Sequence, residues 1–320
     1  MDDPEWEAQF EPNSYGFRPG RSTHDALEAI FNAICLKPRF VLDADIEKCF
    51  DRINHDALVR KLKTIPPVER LIRGWLKAGI VDKGKWLFPE AGTPQGGVIS
   101  PLLANVALHG FERAMEAVSR RYRISVIRYA DDFVVLCQDL DTLLAVKTEA
   151  EAWLMETGLC LKTAKTRITH TLDEYEGQTG FDFLGFRVRQ YRVGKYRTRT
   201  YRGKPGFKTL ITPAEKGVKR HTEKVGGIVH QYRGAPQTAL ITALNPVIRG
   251  WTNYYRTCVA KRTFNKLDKL MYWKLMGWTA HRHSRRSYRW RYHRYWRRRG
   301  RRMVFSDGKH TLNHYAEAPI

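Results

Sequence analysis

At 320 residues, with 42% hydrophobic side chains and nine tryptophans, the chain is long and apolar enough for two domains with cores of their own. Its net charge of +23 is unevenly placed: residues 1–180 hold 23 basic and 27 acidic side chains, residues 181–320 hold 33 and 6, which points to chemistry in the first half and polyanion binding in the second. No apolar run approaches the roughly 18 residues of a membrane span and the acidic start is no signal peptide, so a membrane partner is not expected.

In chain order, "STHDALEAIFNAI" (22–34) repeats apolar positions at helical spacing behind a Ser/Thr cap. A short strand is expected in "RFVLDADI" (39–46), then a helix from His55 to Lys63. Ser100-Pro101 reads as a helix N-cap with proline at the first helical position, and apolar spacing continues through Val118. "VIRYADDFVVLC" (126–137) reads as two strands around a tight turn, and a helix follows over about 142–156. "FDFLGFRVR" (181–189) is expected to be one strand, and the basic, glycine-dotted stretch 190–209 a connector or hairpin. Helical patterns return around "TALITALNPVIRGWTNYYR" (238–256), and eleven arginines then crowd residues 281–302. The five cysteines, Cys35, Cys49, Cys137, Cys160 and Cys258, include no C-x-x-C pair, which fits reduced thiols rather than a zinc site.

Two adjacent carboxylates between apolar strands need a reason, because burying them is costly. Asp131 and Asp132 in the turn, with Asp45 at the end of an earlier strand, form the hard-oxygen donor set that a divalent cation such as Mg²⁺ takes. Alternation along a strand lets one of the adjacent pair face the metal, and Asp131 is the expected direct ligand. "GTPQGG" (92–97) supplies Gln95 as a polar contact and glycines, Gly96 and Gly97 among them, that let a ligand approach backbone closely.

The element Asp45-x-x-x-x-Phe50, Pro94-Gln95-Gly96 and Tyr129-Ala130-Asp131-Asp132 occur in this order, and together they resemble the palm of reverse transcriptases. The blocks "SYGFRPGRSTHDAL" (14–27), "PQGGVISPLLANVAL" (94–108), "LCLKTAKTRI" (159–168), "FDFLGF" (181–186) and "NPVIRGWTNYYR" (245–256) are similar to those of group II intron-encoded proteins, the last to their maturase region, domain X. The resemblance implies an α+β, right-hand polymerase fold: partial fingers and palm over 1–190, a basic connector over 191–210, a helical thumb/maturase domain X over 211–280, and an Arg/aromatic-rich basic segment over 281–320. It implies an RNA-directed DNA polymerase and maturase, with two Mg²⁺ ions on Asp45, Asp131 and Asp132, that assists splicing and then copies the intron by target-primed reverse transcription. Its partners would be group II intron RNA, a DNA target or primer, and deoxynucleoside triphosphates. The location implied is cytoplasmic and bacterial-type, nucleoid-associated when on DNA.

Residue by residue, the resemblance assigns Phe50 to sugar discrimination, Gln95, Gly96, Gly97 and Arg18 to the nucleotide, and Lys165 to protonation of pyrophosphate. Leu184 and Gly185 match the hairpin that grips the primer, and Arg21 a phosphate contact. Arg249, Trp251 and Tyr254 belong to the maturase block, and Arg289, Trp290, Arg294 and Arg297 to the basic segment expected to bind RNA by phosphate contact and base stacking. The chain opens about a dozen residues before "SYGFRPG" and shows no endonuclease module after its basic tail, so a shortened fingers region and no second-strand cleavage are expected. Two readings stand beside the first: an RNA-binding splicing factor without polymerase activity, and a group II-like enzyme recruited to host defence.

Overall fold

The computed structural model describes residues 4–77, 80–82, 85–87, 92, 99–194 and 206–317, and the fold is α+β. Helix α1 (Pro4–Gln9) is followed by α2 (Thr23–Ile34), where Ser22 and Asp25 form a reciprocal capping box that satisfies two otherwise unpaired N–H groups. Strand β1 (Phe40–Asp45) leads through α3 (Cys49–Arg52) to α4 (His55–Leu62), capped by Asn54, and α5 (Pro66–Lys77). A hairpin of β2 (Ile80–Asp82) and β3 (Lys85–Leu87) precedes α6 (Ser100–Leu108) and α7 (Phe111–Ala117). Strands β4 (Ser125–Tyr129) and β5 (Asp132–Cys137), helix α8 (Leu140–Glu156) and β6 (Arg167–His170) complete the main sheet.

That sheet runs β4-β5-β1-β6 with every neighbouring pair antiparallel. Strand alternation sorts its two faces. Leu42, Ala44, Val126, Phe133, Val135 and Cys137 join a core with apolar residues of α4, α6, α7 and α8. Asp43, Asp45 and Asp132 therefore lie on the opposite face, away from that core.

The one long helical pattern expected over 100–118 is two helices, because Gly110 takes a left-handed φ of 92° between them. The α6 entrance also differs from expectation. Ile99 is already in the right-handed helical region, so Ser100 is a buried helical residue rather than the cap. The expected single strand at 181–189 is likewise two, β7 (Phe181–Phe183) and β8 (Phe186–Arg192), split where Leu184 and Gly185 both adopt positive φ.

Strand β9 (Phe207–Pro213) neighbours β8 in a sheet ordered β7-β8-β9. The chain divides into two compact units, one of residues 1–183 and 189–209, the other of 184–188 and 210–320. The second holds α9 (Glu215–Gln231), α10 (Gln237–Tyr255), α11 (Lys261–Arg282), α12 (Tyr288–Tyr295), the hairpin of β10 (Trp296–Arg299) and β11 (Arg302–Phe305), and a closing turn of 3₁₀ helix at Tyr315–Glu317. Its helices pack around aromatic side chains: Trp251 stacks on His221 at 4.8 Å between centroids and lies 4.4 Å from Tyr255, with Phe264 and Tyr315 edge-on. No helix among the described residues is long and apolar enough to cross a membrane.

Candidate active site

The antiparallel register of β1 and β5 sets Asp45 directly opposite Asp132. Cross-strand partners share a face, so two carboxylates far apart in sequence meet on the sheet face opposite the main core. Asp131 lies in the two-residue turn between β4 and β5, and its carbonyl accepts from Ile46 N–H at 3.2 Å. Strand alternation therefore does not govern the Asp131–Asp132 pair, and the register opposes Asp132, rather than Asp131, to Asp45. Asp45 is 7% exposed.

The segment after α8 adds the cation. Lys162 N–H donates to the Asp45 carbonyl at 2.8 Å and Ile46 bridges Leu161, which carries Lys165 alongside the strand end. The Lys165 ammonium forms an ion pair with the Asp45 carboxylate, and this hydrogen bond raises the lysine pKa. Burial and the neighbouring Asp131 and Asp45 push Asp132 up to about 6. Asp43, two residues before Asp45 and on the same face, is pushed up to about 7 by burial and by Asp132. Asp43 was missed from the sequence although the i, i+2 spacing was the available signal.

A donor set of crowded carboxylates, without cysteine or histidine, with its charge disfavoured by burial and then by mutual repulsion, fits a hard divalent cation. Among the described residues no three His, Cys, Asp or Glu side chains converge on one point, and Lys165 is the cation standing on Asp45.

The turn itself is held by residues that lie inside the motif blocks but for which the sequence suggested no role. Ala130 has φ 57°, a conformation that disfavours any residue with a Cβ by about 1–2 kcal/mol. Buried Arg128 donates to the Ala130 carbonyl and to Asn105 Oδ1, each at 3.1 Å, and to Ser14 Oγ at 2.6 Å. Burial pulls its pKa down to about 10, still well above neutrality. Asn105 in turn donates to the Gly16 carbonyl at 2.9 Å. A Cβ on Gly16 would stand 2.2 Å from the Ala130 nitrogen, so only glycine allows this approach. Three separate sequence blocks thus clamp the Asp131–Asp132 turn.

The remaining site expectations divide. Phe50, half-buried on α3, meets Phe17 edge-on at 6.0 Å. Gln95, Gly96 and Gly97 lie outside the described residues, but Gly92 at the start of their block is anchored: its N–H donates to Ile53, its carbonyl meets His55 Nε2 at 2.6 Å, and a Cβ there would stand 2.6 Å from Asp51 Cα.

Arg18 is a correction. Its side chain is buried and donates to the Glu7 carboxylate and to the carbonyls of Glu11 and Ser14, each bond 2.7 Å, so it braces the loop instead of offering its guanidinium to a nucleotide. Arg21 is exposed, bonded to the Pro12 carbonyl at 3.1 Å.

In the second unit, Leu184 is half-buried and Gly185 exposed. Their carbonyls accept from the Tyr254 and Tyr255 hydroxyls at 2.8 and 3.0 Å. Trp251 and Tyr254 are half-buried: Trp251 packs on His221 and Tyr255, Tyr254 holds that turn, and Arg249 of the same block is exposed. Arg289, Trp290, Arg294 and Arg297 are exposed, with Arg286 over the Trp290 ring, whereas Tyr295 and Trp296 are buried.

Comparison with known proteins agrees with this architecture. The profile for "Reverse transcriptase (RNA-dependent DNA polymerase)" matches residues 3–188, and that for "Group II intron, maturase-specific domain" matches residues 218–296. The chain is 30% identical over 224 residues to protein YkfC of Escherichia coli, covering 58% of this chain and 57% of that protein. It is 25% identical over 319 residues to an uncharacterized 91 kDa protein in the cob intron of Schizosaccharomyces pombe, covering 78% and 38%. Over 112 residues it is 40% identical to the group II intron-encoded protein LtrA of Lactococcus lactis, covering 34% and 18%. It thus spans little more than half the length of the first of these relatives and less of the other two. The chain belongs to the reverse transcriptase family, in the branch whose palm is followed by a group II intron maturase-specific domain.

Proposed function

We propose that this chain is an RNA-directed DNA polymerase and maturase that binds group II intron RNA, assists its splicing and copies it by target-primed reverse transcription. The observation that carries the proposal is the opposition of Asp45 and Asp132 across adjacent antiparallel strands, with Asp131 in the adjoining turn, within a segment that matches the reverse transcriptase profile. Two Mg²⁺ ions on Asp45, Asp131 and Asp132 would supply acidification of the primer 3′-hydroxyl and charge neutralisation at phosphorus.

This chain's own groups do the rest. Lys165, kept protonated by Asp45, is poised to give a proton to pyrophosphate. Phe50, backed by Phe17, offers an aromatic edge against the sugar of an incoming deoxynucleoside triphosphate, and Gln95 with Gly96 and Gly97 contacts that nucleotide. Leu184 and Gly185 take the primer end. Arg21, Arg249, Arg289, Trp290, Arg294 and Arg297 bind the intron RNA and DNA target through phosphates and stacking.

The test is primer extension on an RNA template with Mg²⁺, beside RNA binding, for the chain and for Asp132→Asn. Extension by the chain and its loss in the variant, with RNA binding retained in both, is expected. RNA binding without synthesis by the unaltered chain would sink the polymerase reading.

A further inference from the structure

On the same sheet face as the carboxylates, but toward the opposite end of the strands, the first unit has a cavity of about 850 Å³ beside α2 and the edge strand β4. Four cations line it: Arg21 before α2, Lys37 and Arg39 after it, and Arg123 before β4. Two carboxylates, Asp25 and Glu28, oppose them, but Asp25 is tied to Ser22 by the capping box and serves the helix N-terminus. Arg39 and Arg123 make no ion pair or side-chain hydrogen bond among the described residues, and Glu116, whose carboxyl feels Arg123, is not within ion-pair reach. Burial and the nearby Arg123 both lower the Arg39 pKa. Two like charges held at a cavity wall without a directly paired carboxylate are costly, and an anion between them would offset that cost.

We infer that this cavity binds successive phosphates of a single-stranded RNA, at a site separate from the polymerase centre. The inference rests on the RNA-binding reading above and adds a location to it. Helix α2 has twelve residues, so Arg21 and Lys37 at its two ends stand roughly 18 Å apart. One small anion does not reach both, whereas a strand with a phosphate at every nucleotide does. Arg39 precedes β1 and Asp45 ends it, and six residue steps along the strand separate the two by roughly 20 Å.

Two measurements decide the matter. Arginine modification by phenylglyoxal, mapped by mass spectrometry on the full chain, should be blocked at Arg39 and Arg123 by a single-stranded RNA oligonucleotide. A nucleoside triphosphate at the same phosphate concentration should leave both reactive. RNA affinity measured across salt concentrations should show a slope of log K against log[salt] shallower by roughly 1.4 in the Arg39→Ala/Arg123→Ala double variant, about 0.7 for each phosphate no longer neutralised. The Arg39→Lys/Arg123→Lys variant, which keeps the charge, should retain the slope of the unaltered chain. Unprotected arginines on a chain that demonstrably binds RNA overturn the cavity and leave the polymerase reading standing, which primer extension scores separately. Equal protection by the triphosphate overturns the strand assignment, and an unchanged slope in the alanine variant overturns the phosphate contacts.

Discussion

Gly16→Ala tests whether close backbone packing sets the Asp131–Asp132 turn. The added Cβ would stand 2.2 Å from the Ala130 nitrogen and 2.9 Å from its Cα, against an ordinary contact of 3.4 Å or more. Both partners are backbone, so no side chain can swing aside, and the two segments must part by about 1 Å. The segment that moves is the one bearing Asp131 and Asp132, already held at a positive φ at Ala130 by Arg128. A displacement of about 1 Å in groups that must meet reacting atoms lowers rates by roughly 10²-fold. Overpacking should also remove about 1–3 kcal/mol of stability. Single-turnover primer extension and thermal melting read the two effects, and RNA binding, expected to reside largely in the basic half, should be unchanged. Gly74→Ala, a helical glycine with open space around its Cβ, is the control and should be neutral or stabilising by up to about 1 kcal/mol. Gly16→Ala with an unaltered extension rate and melting temperature would refute the argument that this contact positions the turn.

Arg18→Ala should lower stability by about 1–3 kcal/mol, since it strands the Ser14 carbonyl, leaves the Glu11 carbonyl only its bond from Ser14 N–H and removes the partner of a half-buried Glu7, while the KM for nucleotide stays unchanged. A raised KM without loss of stability would restore Arg18 to the nucleotide. Asp43 has a folded pKa of about 7 against 3.8 in the unfolded chain, so the native state holds its proton longer and stability falls as pH rises from about 4 to about 7. In metal-free buffer, Asp43→Asn should therefore gain melting temperature over the unaltered chain at pH 8 and lose most of that gain at pH 4.5; the same difference at both pH values would contradict the charge-crowding account. Tyr255→Phe removes the hydroxyl that bonds the Gly185 carbonyl and should cost about 1 kcal/mol in chemical denaturation.

Local chemistry makes much of the fold legible in the sequence itself. The Ser/Thr cap of α2, the β4–β5 turn, and Asp45 at the end of an apolar strand each depend on a few neighbouring residues, and the structure has them at those places. Asp45, Asp131 and Asp132 could be grouped from the sequence because carboxylates between apolar runs need a cation, and their grouping does not depend on knowing the register. Which of the adjacent pair faces Asp45 did depend on it, and the sheet pairing decides for Asp132.

Other features exist only once distant segments pack. Arg18 reads in sequence as a basic residue near a phosphate site, yet the loop folds its guanidinium onto Glu7 and two carbonyls. Trp251 and Tyr254 have the composition of RNA-stacking residues, but a helical unit needs apolar filling and they supply it. Ser14, Gly16, Asn105 and Arg128 lie inside the motif blocks, but their role comes from meeting around one turn across as many as 114 residues of chain. Periodicity and side-chain chemistry are local and travel with the sequence. Steric fit and hydrogen-bond partnership across the chain belong to the folded state, and that state decided how the Asp131–Asp132 turn is held.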